Sequence, residues 1–289
     1  MPRIVAAPMK LIRDEELVAG LTRVAGGRAE AAIGRLRSAA ASEADTAKAI
    51  HGARKDLKKL RAVLRLLRDE LGKDTYRREN ARFRDAGRAL SQARDAEVKL
   101  QTLNALAERA EGLPAEAVEG WRKILVKDRD AAANLARGPA LAEATGLIEE
   151  GLRSIRGWEL EGDSWGAVDG ALTRTHRRGR RAMKAAAKAG TEDDFHEWRK
   201  RAKDLWYELR LLEKAWPRPL TATVEEVHQL TELLGAHHDQ AVLREDLRQR
   251  RLGKGETRTL EEAISRFQTE SAGKAIKLGK RVYAKRPTD

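Results

Sequence analysis

Leucines 57, 60, 64, 67 and 71 recur three and four residues apart, with charged residues in every interval. At about 100° per residue, this spacing gathers the leucines on one side of a helix. His51 falls on the opposite side, with Arg54, Lys55, Lys58 and Arg65 within roughly 60° of it, so the segment is amphipathic with a narrow cationic stripe about 20 Å long. The surrounding chain reads the same way. The 105 residues between Pro8 and Pro114 contain no proline and are rich in Ala, Leu, Arg, Glu and Lys, all strong helix formers. β-Branched runs are few and there is no Asn-Gly turn. The chain is predicted to be all-α.

Caps and breakers divide it. Helices are expected at about 13–42, 46–72 (capped by Asp45 or Thr46), 74–112 (capped by Asp74 or Thr75) and 114–137. After the "RGPA" break a shorter helix is expected at 140–156, then a second set at 164–189, 192–215, 221–251 and 256–284. Thr191 with Asp194 resembles a capping box. Pro217 and Pro219 read as a helix end, as do Gly253 and Gly255.

The two sets are related. Residues 34–67 align without a gap to 179–212, so "HGARKDLKKL" at 51–60 returns as "HEWRKRAKDL" at 196–205. Further on, "LSQARDAEV" (90–98) lines up with "LGAHHDQAV" (234–242). A period of about 145 residues is too long for a solenoid unit and suits two tandem four-helix bundles. The expected layout is one domain over 1–289, with repeat one at 10–138, a connector helix at 139–160 and repeat two at 161–286.

Charge sharpens this. Charged residues make up 36% of the chain and the net charge is +13, shared as +9 and +4 between residues 1–138 and 139–289. Hydrophobic residues make up 41% and are periodically placed, which argues for folding rather than disorder. A polyanionic partner is implied. There is no Cys, which removes disulfides, thiolate metal sites and a Cys nucleophile. No apolar run is long enough to span a membrane and the N-terminus lacks a signal-peptide core, so a cytoplasmic protein is expected.

The stripe recurs as His196, Arg199, Lys200, Lys203 and Arg210. Solvated helix faces usually mix signs at i,i+4, whereas these stripes hold only cations, which repel unless an anion sits on them. Arg177, Arg181 and Lys184 extend the basic surface from the preceding helix of the second copy, and Arg28 and Arg35 do so from the first. Gly34 and Gly179 interrupt those helices at matching points, with close packing the leading explanation. "HHD" at 237–239 invites a metal site, but its counterpart is Arg94-Asp95, and Arg cannot ligate a metal; no metal or other cofactor is expected. Asp95 and Asp239 would orient neighbouring basic groups or make simple structural pairs.

"HGARKDLKKLRAVLRLL", "HEWRKRAKDLWYELRLL" and "LLGAHHDQAVL" resemble the motifs of the CHAD family, the conserved histidine α-helical domain, in order and in both halves. The resemblance implies two bundles related by a pseudo-twofold and a basic central surface that binds inorganic polyphosphate. It assigns binding to His51, Arg54, Lys55, Lys58, His196, Arg199, Lys200 and Lys203, with Arg35 and Arg180 adjoining and His238 from the Leu-Gly-x-x-His-Asp motif. Members are often fused to a triphosphatase domain marked by Glu-x-Glu-x-Lys. Glu159 and Glu161 lack the Lys, so a non-enzymatic, stand-alone module is expected, with polyphosphate granules as one location. Aromatics make up only 4% of the chain, which weighs against base stacking. General nucleic-acid or acidic-lipid binding, His phosphotransfer and hydrolysis of the polymer are the competing classes.

Overall fold

The computed structural model describes residues 10–12, 15–41, 46–135, 138–160, 166–250 and 253–284. Asp45, Glu161 and the expected end of repeat two at 286 lie outside these residues, as does the side chain of Arg94. The described residues form eleven helices and no strand. Among them no helix is long and apolar enough to cross a membrane.

Two paired helices, α1 (Leu17–Ala41) and α2 (Thr46–Leu66), open the fold, and the single turn α3 (Arg68–Leu71) leads to α4 (Lys73–Ala89) and α5 (Gln92–Arg109). Then come α6 (Ala115–Leu135) and α7 (Pro139–Arg156). The second half is α8 (Gly166–Ala189), α9 (Glu192–Leu212), α10 (Pro217–Gln249) and α11 (Lys254–Val282). The expected helix 74–112 is therefore two helices, broken at Leu90–Ser91. Its first part packs on α2 and α7, and its second on α6 and α10. Gly72, at φ +71°, precedes α4 in place of the expected Asp74 or Thr75 cap. Pro217 begins α10 rather than ending α9: a proline at the first helical position gives up an N–H that would have no partner there anyway. Thr191 caps α9 as expected, its hydroxyl accepting from the Asp194 N–H at 3.1 Å.

Packing gives α7 a larger part than a connector. It lies against α1 and α4, completing a bundle of α1, α2, α4 and α7. The end of α11 and the start of α10 hold the corresponding places around α8 and α9. One continuous core joins these two bundles, with Leu60, Leu64, Phe83 and Trp198 fully enclosed. A second, smaller core lies between α5, α6, the end of α10 and the start of α11, around Leu103, Trp121, Leu247 and Ile264. The first half of the chain thus closes its far end on the second.

Asp246 anchors that closure. It is buried, yet it accepts from Lys99 Nζ at 2.8 Å, Trp121 Nε1 at 2.9 Å and Arg250 Nε at 3.0 Å, drawing α5, α6 and α10 together. Burial would raise its carboxyl, but these donors outweigh burial and hold it below the ordinary carboxylate range. Its stabilising effect is therefore complete above the unfolded value and lost as pH falls through the folded one. Removing one partner of a buried ionic network strands the others, at a cost of about 3 kcal/mol or more. Asp246→Ala should lower the unfolding free energy measured by urea titration by that order, whereas Asp130→Ala, an exposed acid paired only with Arg129 among the described residues, should leave it within about 0.5 kcal/mol.

Candidate functional site

The repeated stripes survive in the structure, but not every cation stays on them. On α2, His51, Lys55 and Lys58 are exposed. Half-buried Arg54 donates Nη1 to the Gly87 carbonyl of α4 at 2.6 Å, which fixes the guanidinium against its neighbour. Arg65 turns inward. Only 11% of its side chain is exposed, and it meets Glu208 of α9 at 2.7 Å and Asp204 at 3.1 Å. Burial alone would lower its pKa; the two carboxylates outweigh burial and hold it above its ordinary value. Glu208 is fully buried and also accepts from Thr175, and burial pushes its carboxyl up to about 7 in spite of Arg65. Arg65 is thus a bridge between the repeats and is not displayed to solvent.

Arg28 and Arg35 are also committed. Both bond to Asp56, at 2.9 and 3.1 Å, and Arg28 is itself buried. The position matching Asp56 in the second copy is Arg201, which leaves that copy without this carboxylate. Arg180, the partner of Arg35 by alignment, is exposed and has no ion pair or side-chain hydrogen bond among the described residues.

On α9 the stripe begins against α10. His196 Nδ1 and His238 Nδ1 lie 3.2 Å apart, so one donates and the other accepts. Arg199 and Lys203 bear on His238, and Arg199 and Lys200 on His196. Burial and then these cations push His238 down to about 4, and the same causes lower His196. Lys200 is exposed and reaches Glu197 at 2.6 Å. Further along, Arg210 lies 5.2 Å from the Trp206 ring, which also stacks on the His228 ring at 4.8 Å and meets Tyr207 at 4.7 Å.

The rows of the two copies meet where α2 contacts α9. Lys59, half-buried, is held below its ordinary value by burial and then by Arg28, Lys55 and Arg210, with Asp56 opposing. Lys55, Lys59 and Arg210 have no ion pair among the described residues. Lys59 is the cation that the repeat pattern missed: its aligned partner is Asp204, so comparing the copies hid it.

The Arg177, Arg181 and Lys184 row occupies a different surface. The buried side of α8 carries Ala171, Leu172, Thr175, His176, Ala182, Met183 and Ala186, and these cations lie opposite it. None of the leading charges acting on His196, His238 or Lys59 comes from α8. Gly179 has the expected packing role, since a Cβ there would stand 2.5 Å from the Tyr283 hydroxyl. Gly34 does not: nothing lies within 4 Å of its Cβ position, which opens on a groove between α1 and α7.

The "HHD" residues diverge. His237 is buried and stacks on Phe195 at 4.2 Å, while His238 faces His196. Among the described residues no His, Asp and Glu group is arranged to hold a metal ion.

Together these features define an all-helical domain whose His-Arg-Lys segment recurs on α2 and α9. The sequence profile of the CHAD domain matches residues 27–248, and the chain belongs to the CHAD domain family. Its fold is similar to that of the crystal structure of the CHAD domain from the plant Ricinus communis, with a TM-score of 0.66 and 16% identity over 96% of this chain and 95% of that one. No curated protein sequence matches the chain.

The buried histidines set a pH response. His237 and His238 are both depressed to about 4, burial being the first cause of each. The unfolded chain therefore binds protons that the folded chain refuses, and stability falls as pH drops from the unfolded value of about 6.5 toward 4. The melting temperature of the ligand-free protein should decline by several degrees over that window, and His238→Asn should flatten the decline. A melting temperature level from pH 7 to 5 would contradict the assignment.

Proposed function

We propose that this protein binds inorganic polyphosphate on the seam formed where α9 packs on α2 and on α10, as a non-enzymatic module. The observation that carries the reading is the convergence of Lys55 and Lys59 from one copy with Arg210 from the other, where burial and then the neighbouring cations lower Lys59, and the one carboxylate acting on it, Asp56, is already bonded to Arg28 and Arg35. An unbranched phosphate chain supplies the missing charge continuously along such a row. Arg gives bidentate contacts to its oxygens and Lys gives point charges. The seam extends past Arg199 and Lys203 to the His196–His238 pair. There an anion would favour protonation that the empty site disfavours. Binding then takes up protons, so affinity rises as pH falls below about 7.

Base stacking has little to work with. Trp206 is already held between His228 and Arg210, and Phe195 is buried under His237. Single-strand binders pair cations with open aromatic faces, so the seam suits a polyanion without bases. Storage or localisation of the polymer in the cytoplasm, including at granules, would follow from such binding.

Binding driven by counterion release should weaken steeply with salt. Lys55→Glu combined with Lys200→Glu should reduce affinity for long polyphosphate by about tenfold or more and flatten the logarithmic salt dependence by about 1 to 2. Single-stranded DNA at equal phosphate concentration should not displace the polymer; displacement would favour general polyanion binding instead.

A further inference from the structure

The two copies differ on the outer surfaces of α1 and α8. On α1, Arg35 is bonded to Asp56 and Arg37 to Glu149, while Arg156 of α7 reaches Glu30. The outer face of α1 is therefore a mixed, internally matched surface. The equivalent face of α8 has no such matching. Arg177, Arg178, Arg180, Arg181, Lys184 and Lys188 are all exposed, and none has an ion pair or side-chain hydrogen bond among the described residues. The sole acid within α8 is Asp169, two turns before the first of them.

Like charges at i,i+3 and i,i+4 destabilise a helix. Arg177, Arg181, Lys184 and Lys188 stand in that relation in succession, over about 16 Å. The face offers no large apolar side chain and no aromatic ring, only Ala185 and Ala187 among the cations. It thus has charge for an anion and no surface to seat in lipid or to stack on a base. α8 packs directly against α9, and the two are joined by the tight turn at Gly190, at φ +68°.

We infer that the outer face of α8 is a second anion track, engaged by a phosphate chain long enough to extend beyond the seam on α2, α9 and α10. The inference rests on the proposed polyphosphate binding and adds that chain length is read by a surface separate from that seam. A short chain fills the seam alone. A long chain continues onto Arg177, Arg181 and Lys184 and gains their contacts, so affinity grows with length in a way that one helix controls.

The test uses the whole chain with the triple variant Arg177→Gln, Arg181→Gln, Lys184→Gln, and a charge-keeping control with Arg177→Lys, Arg181→Lys and Lys184→Arg. Dissociation constants are measured for tripolyphosphate and for long-chain polyphosphate at two salt concentrations. The glutamine variant should lose roughly tenfold in long-chain affinity, with a salt slope flatter by about 2, and bind tripolyphosphate as the wild type does. The control should keep long-chain binding. Retained tripolyphosphate affinity also reports that the variant is folded. Equal losses for both lengths would mean that α8 only raises the general field, and no loss for either would mean that it takes no part; both overturn the inference. If phosphatidylserine vesicles bind wild type and not the glutamine variant while long-chain affinity is unchanged, the face belongs to a membrane surface and the inference is again overturned. Failure of the wild type to bind either length would instead defeat the polyphosphate reading itself, and this inference with it.

Discussion

Repulsion among cations is the constraint on which this structure turns, and the position of each carboxylate decides what each cation does. Arg65 is enclosed with Asp204 and Glu208, and Arg28 with Asp56. In such settings charge is costly to bury and is tolerated only because partners and hydrogen bonds surround it. The partial protonation favoured at Glu208 limits the excess of negative charge around Arg65. These buried pairs cross between helices, α1 to α2 and α2 to α9, so they fix how the bundles sit. The exposed rows have the opposite character. Among the described residues Lys55, Arg180 and Arg181 have no carboxylate partner, so the helices that carry them hold unrelieved repulsion. A helical protein can carry such rows because its cores supply the stability. An anion placed on them relieves repulsion that folding leaves in place.

The same division links fold to function. Arg54 is tied to the Gly87 carbonyl and Arg65 to the other repeat, which sets the rotation of α2 and hence the direction in which Lys55 and Lys58 point. On α9, Trp198 is buried among Met183 and Gly279, and Phe195 is stacked on His237, which turns His196 and Lys200 outward. Both stripes are held by core residues on the far side of the same helix. Displacing the core would scatter the cations without touching them.

Much of this was legible in the sequence, because leucine spacing and charge spacing are local. The all-α class, the amphipathic α2 and α9 and the Thr191 cap follow from residues within a few turns of one another. The division of α4 from α5 does not, since Leu90–Ser91 carries no proline or glycine, and the break serves packing partners remote in sequence. Pro217 could be read as a stop or a start, and only the path after Trp216 decides. The stripe residues were visible, but their fates were not: helical phase places Arg65 beside Lys58, while Asp204 and Glu208, nearly 140 residues later, draw it inside. The loss of an Asp56 equivalent in the second copy was present in the alignment, yet it gained meaning only when Arg28 and Arg35 were seen bonded to Asp56.

The central claim is that exposed rows oppose folding and buried pairs support it. The direct measurement is the melting temperature, at low salt and without ligand, of Arg181→Gln beside Arg65→Gln. Relief of like-charge contacts is worth a few tenths of a kcal/mol per pair, so Arg181→Gln should melt slightly higher than wild type. Arg65→Gln leaves buried carboxylates without their guanidinium and should melt several degrees lower. If Arg181→Gln melts lower and Arg65→Gln is unchanged, the division between the two kinds of cation is contradicted.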